Sequence, residues 1–144
     1  HDDLVKLANE LEIQDAIEFV GHLPNHEMAM LMLTRCDVGL APYVPDETSI
    51  SVCGDPCKIK EYLVAGLPVI VTNVPEAAEE VSAMSAGIVI TYEVESLANA
   101  IIHLLSDETL LQTYKENAIR LGQEYLWDKI FDSTMAETIK ILAK

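Results

Sequence analysis

The residues best placed to do chemistry lie in one run, Gly54-Asp55-Pro56-Cys57-Lys58-Ile59-Lys60-Glu61-Tyr62-Leu63-Val64-Ala65-Gly66-Leu67-Pro68. Asp55 followed by Pro56 reads as a helix N-cap and first helical position. Gly66 reads as the residue just past the helix end, and Pro68 as the start of a strand. A helix N-terminus carries roughly half a positive charge and unpaired N–H donors, which suits a phosphate. Lys58, in the first turn, adds a full charge beside it. Glu61 is three residues on and shares that face, and its carboxylate can accept hydrogen bonds from both hydroxyls of a ribose. A phosphate contact and a ribose contact one turn apart are what a nucleoside diphosphate requires. The same spacing also describes a solvated Lys–Glu pair on a surface helix, contributing roughly a few tenths of a kcal/mol. Spacing alone leaves that alternative open. The run is not a Walker loop, and no G-x-G-x-x-G occurs in the chain.

Other clusters carry weaker signals. His22 and His26 are separated by Pro24 and lack two further ligands at zinc spacing, so no metal or other cofactor is expected. Cys53-x-x-x-Cys57 is not the C-x-x-C of a redox site. Ser49 and Ser51 have no histidine close in sequence, and no triad is apparent. Glu76, Glu79 and Glu80 follow Pro75 and suit the start of a helix, where they read as a solvated acidic face. Met28, Met30 and Met32, with Leu31 and Leu33, read as the core face of a helix capped by Asn25.

The elements that must position the run are legible in the apolar pattern. Ile17 to Val20, Val38 to Pro42, Pro68 to Thr72 and Ile88 to Thr91 are short, nearly continuous apolar runs, the mark of strands buried on both faces of a parallel sheet. Helical stripes lie between and beside them: Leu4, Leu7, Ala8 and Leu11, and later Leu97, Ala100, Ile101, Leu104 and Leu105. After Thr91 only helices are expected. One is capped by Asp107 and runs through Leu110, Leu111, Tyr114 and Ala118, and a last one follows Trp127-Asp128. The pattern is α/β, a Rossmann-like parallel sheet with flanking helices and an all-helical C-terminal end. The irregular segment from Tyr43 to Gly54 falls where such sheets bind ligands, beyond the C-terminal end of a strand.

Composition sets outer bounds. The chain has 144 residues, half of them hydrophobic, enough for one domain with a real core. A net charge of −15 argues against nucleic acid or an anionic membrane face as partner, though not against a small anion held by a few aimed N–H groups. Three cysteines make a disulfide framework a poor fit and the reducing cytoplasm the expected compartment. No transmembrane segment is expected.

With these residues in view, the run K-x-x-E-Y-L-x-A-G-L-P-V-I resembles the donor-site signature of retaining GT-B glycosyltransferases, especially family 4. Phe19-Val20-Gly21 resembles the "F-x-G" strand end before a base-contacting loop. Cys36-Asp37-Val38-Gly39-Leu40-Ala41-Pro42 resembles the "A-D-V-x-L-x-P" strand. Ala86-Gly87-Ile88 and Trp127 resemble later landmarks, and all of these occur in the family's order. The resemblance implies that residues 1–144 form a C-terminal, donor-binding domain that takes a nucleotide-sugar, with UDP the nucleoside diphosphate suggested. Glu61 would hold the ribose and Lys58 the diphosphate. Gly21, His22 and Leu23 would lie beside the nucleobase, and the loop around Ser49 to Gly54, including Cys53, over the phosphates and sugar. The family carries its first Glu eight residues before the second; Cys53 stands at that place here. The family's Arg and Lys that neutralise the leaving diphosphate belong to an upstream segment, so no catalytic residue is assigned.

The sequence opens directly in a helix, where a doubly wound domain opens on a strand. The expectation is therefore a partial domain that lacks its first strands and its acceptor-binding partner domain. Its unpaired sheet edge would invite self-association. In the intact enzyme it would sit in the cytoplasm, peripheral to the inner face of the membrane. The alternative is a binding or interaction module that keeps the fold and does no chemistry.

Overall fold

Four consecutive residues with a strong preference for extended backbone, Val69-Ile70-Val71-Thr72, form strand β2 (Val69–Thr72), and all four are buried. Parallel partners lie on both sides of it: β1 (Gly39–Ala41) and β3 (Gly87–Ile90), in the order β1-β2-β3. Gly39 pairs with Val69, which in turn pairs with Gly87. The computed structural model describes residues 1–46 and 57–143.

Period-two alternation explains why β2 is apolar throughout. Val69 and Val71 face a cluster of Ala41, Ile59, Leu63, Ala78, Val81, Ala118 and Leu121, while Ile70 joins Ile90, Ala100 and Leu104 on the other side. The first cluster is covered by α3 (Cys57–Val64), α4 (Ala77–Ala83) and α6 (Glu108–Glu124), and the second by α5 (Val94–Leu105). The result is a three-layer α/β/α block.

The sequence rules for helix ends hold here. Asp107 Oδ1 accepts from Leu110 N at 3.0 Å and caps α6. Gly66, at φ +80°, ends α3, with Gly66 N bonded to Leu63 O and Leu67 N to Tyr62 O. Gly122 sits where α6 crosses α3 so closely that a Cβ would come within 2.6 Å of the Leu63 carbonyl. Lys115 Nζ, on α6, reaches Asp37 Oδ1 at 2.7 Å and ties that helix to the approach to β1. Lys60 Nζ lies 4.9 Å from the Tyr125 ring centre, and the Tyr125 hydroxyl donates to Glu80, so α3, α6 and α4 share a polar seam on their outer side.

The N-terminal part is built differently. It holds α1 (Asp2–Glu10), a 3-10 turn (Gln14–Ala16) and α2 (His26–Leu33). Before Gly39 the only buried residue is Ala8. The stripe of Leu4, Leu7 and Leu11 is exposed. Two sequence expectations are corrected here. Ile17 to Val20 form no strand: Ile17 is extended (φ −119°, ψ 128°), but extended backbone becomes a strand only by pairing, and no described strand lies beside it. The sheet thus has three described strands, not four. The Met/Leu face of α2 is likewise not core. Asn25 does cap the helix, accepting from Met28 N at 2.9 Å, but α2 has no buried residue and Leu31 is 66% exposed.

The C-terminal helix α7 (Trp127–Leu142) is also little covered. Trp127, Phe131, Met135 and Ile139 recur at four-residue spacing as an exposed apolar stripe, with the Trp127 and Phe131 rings 5.8 Å apart. The whole chain exposes 10370 Å², against about 7,400 Å² for a compact monomer of this mass. Among the described residues no helix is long and apolar enough to cross a membrane.

Candidate functional site

Helix α3 is held from below. Ile59 and Leu63 are fully buried against the sheet, so the opposite face, bearing Lys58 and Glu61, is turned outward. Tyr62 packs over Gly39, where any Cβ would strike its ring, and this fixes the rotation of α3 relative to β1. Lys58 is exposed and Glu61 half-buried.

The two side chains do not pair with each other. Lys58 Nζ lies 5.2 Å from the centre of the Tyr43 ring, a cation–π contact. Tyr43 follows β1, and its carbonyl accepts from Thr72 Oγ1 at 2.7 Å, so the ring beside Lys58 is anchored to the end of β2. Thr72 is the one buried polar residue among those described. Glu61 Oε1 instead faces His26 Nδ1 at 3.6 Å. The surface Lys–Glu pair is therefore not the arrangement adopted.

Burial raises the Tyr62 phenol above its ordinary value, with Tyr43, Cys36 and Glu61 acting in the same direction. Burial, then Cys57, does the same for Tyr43. Both phenols are neutral at physiological pH and act as hydrogen-bond donors or ring surfaces rather than as bases.

Gly21, His22 and Leu23 come together in an open cleft of about 380 Å³, walled also by Pro24, Asn25, His26 and Ala29. Gly21 has φ +72°, which turns the chain from the extended segment into this loop. His26 belongs both to this cleft and to the contact with Glu61, so the loop and α3 are neighbours across one imidazole. Cys53 and Gly54, with Ser49, Ser51, Asp55 and Pro56, lie outside the described residues.

The remaining candidates resolve as follows. Cys57 is an exposed free thiol. Among the described residues no three His, Cys, Asp or Glu side chains come together as metal ligands. Glu76, Glu79 and Glu80 are exposed; Glu80 is engaged by Tyr125, and Glu79 lines an open hollow with Asn73, Ser82 and Thr91. Sequence reasoning placed Tyr43 in the ligand-side loop but not against Lys58, and did not place Thr72 or His26 in the site. The proline before Tyr43 and the helix cap before His26 gave their backbone positions but not their partners.

Comparison with known proteins bears on the family and the fold. Residues 1–121 match the family model described as Glycosyl transferases group 1. Two solved structures share the fold. One is WaaG, a glycosyltransferase involved in lipopolysaccharide biosynthesis (22% identity, TM-score 0.68, 85% of this chain and 31% of that one). The other is sucrose-phosphate synthase from Thermosynechococcus elongatus (22% identity, TM-score 0.74, 97% of this chain and 34% of that one). The chain thus spans about a third of the length of each. No curated protein matches it. The α/β block of parallel strands and flanking helices is that of the C-terminal domain of GT-B glycosyltransferases, and the chain belongs to the group 1 glycosyl transferases.

Proposed function

We propose that this chain is the donor-binding part of a glycosyltransferase that passes a sugar from a nucleoside diphosphate to an acceptor, with retained anomeric configuration and without a metal. One observation carries the reading. The outward face of α3 presents Lys58 and Glu61 separately, each on its own partner, and Glu61 faces His26, which lines the cleft of Gly21, His22 and Leu23. A base in that cleft puts the ribose hydroxyls near Glu61. The diphosphate then runs toward the first turn of α3, where Lys58 and the helix dipole favour negative charge. Departure of a diphosphate develops charge that fixed cations must meet. Lys58 supplies one, and an upstream segment together with the acceptor-binding domain would supply the rest. That domain is also a fitting occupant for the exposed stripe of α7.

A second reading, a module that keeps the fold without the chemistry, has its own support. Cys53 stands where the family carries its first Glu, and Lys58 is already engaged by Tyr43. Calorimetric titration with UDP, UDP-glucose, GDP and GDP-mannose separates the two. The donor reading expects one base to bind. Lys58→Ala and Glu61→Ala should each weaken that binding by about tenfold or more, the scale of a lost hydrogen bond to a charged group. Binding of none at millimolar concentration would favour the module.

A further inference from the structure

The carboxylate assigned to the ribose has a neighbour that the donor reading leaves without a task. His26 Nδ1 lies 3.6 Å from Glu61 Oε1, and the same histidine lines the cleft assigned to the base. Each residue sits in a helix with a defined local backbone. His26 is the first residue of α2, just after the Asn25 cap that closes on Met28 N, and Ala29 N bonds to Asn25 O at 3.3 Å. Glu61 lies between the buried anchors Ile59 and Leu63.

We infer that His26 is a positioning residue for Glu61, holding one carboxylate oxygen so that the group meets a nucleoside's ribose hydroxyls already oriented. This role rests on the donor reading above. A Glu side chain has several rotamers, and fixing one on binding costs conformational entropy. A contact at Oε1 made before the ligand arrives removes part of that cost. It does not exhaust the acceptor: a carboxylate offers about four lone-pair sites, so two hydroxyls still find partners. The imidazole also links the two walls of the site, since His26 of α2 faces Glu61 of α3.

The test is a double-mutant cycle by calorimetry on this chain, with whichever of UDP or GDP binds. It uses His26→Ala, Glu61→Gln, the double variant, and His26→Asn, which keeps an N–H donor near the place of Nδ1. His26 and Glu61 are not core residues, so unchanged melting of each variant shows that the fold is intact. His26→Ala is expected to weaken binding by about two- to fivefold, the range of a partly exposed ion pair. It should have no further effect in the Glu61→Gln background, and His26→Asn should recover most of the loss. An equal loss from His26→Ala in both backgrounds, or no loss in either, overturns the positioning role while leaving the donor reading intact. Wild-type affinity in Glu61→Gln overturns the ribose assignment instead, and the role of His26 with it.

Discussion

The block from Gly39 to Tyr125 and the part that precedes it have similar shares of apolar residues but opposite fates. In the block, β2 and the inward faces of α3, α4, α5 and α6 bury their side chains almost completely. In the first part, α1, α2 and residues 17–20 leave Leu4, Phe19, Val20, Met28 and Leu31 open to solvent. The difference lies in what each apolar face has to meet. A stripe is core only when a second surface lies against it, and residues 1–38 have little beyond their own short helices. The candidate site joins the two: its cleft comes from the open part, and its Lys58 and Glu61 from the packed one.

Core truncation should show the contrast most sharply. Leu63→Ala is expected to cost about 2–5 kcal/mol of unfolding free energy, because its side chain is fully enclosed and α6 cannot collapse onto the gap. Leu31→Ala removes the same atoms from α2 and should cost about 0.5 kcal/mol or less. Urea titrations of the two variants give the comparison directly. Equal losses would mean that α2 is as well packed as the sheet.

Gly122→Ala is expected to cost about 1–3 kcal/mol by the same titration, since its Cβ would press on the Leu63 and Val64 backbone and drive α6 from α3. A neutral result would show that the two helices can separate without loss.

The smallest expected effect is at high pH. Tyr43 and Tyr62 have phenol pKa values raised in the fold. For an acid whose folded pKa lies above its unfolded one, stability is fully present below the unfolded value near 10 and falls as pH rises through the folded one. The urea midpoint should therefore hold steady up to about pH 9 and decline above 10, and Tyr62→Phe should blunt the decline. A decline unchanged in that variant would assign it to other groups.

What could be read from the sequence follows the same division. Strands β1, β2 and β3, the caps at Asn25 and Asp107, and the turn at Gly66 depend on neighbours within a few residues or on unbroken apolar runs, and they stand as expected. Ile17 to Val20 have equally good strand composition, but pairing is decided by distant chain, and no described strand comes beside them. The methionines of α2 repeat the lesson for a helix: periodicity marks which side is apolar, not whether anything covers it. In the site, the helix bearing Lys58 and Glu61 was legible from its run of residues. Their actual partners, Tyr43 and His26, were not, because each comes from another element and is brought close only by the packing of α3 on the sheet.

The central claim is that one nucleotide engages both regions at once. Hydrogen exchange of the chain with and without UDP or GDP, resolved by segment, tests it most directly. Slowed exchange is expected both in residues 21–29, the cleft wall and start of α2, and in Cys57–Val64, with little change in β2, which is buried already. Slowing confined to one of the two segments, or seen in neither, would contradict a site shared between them.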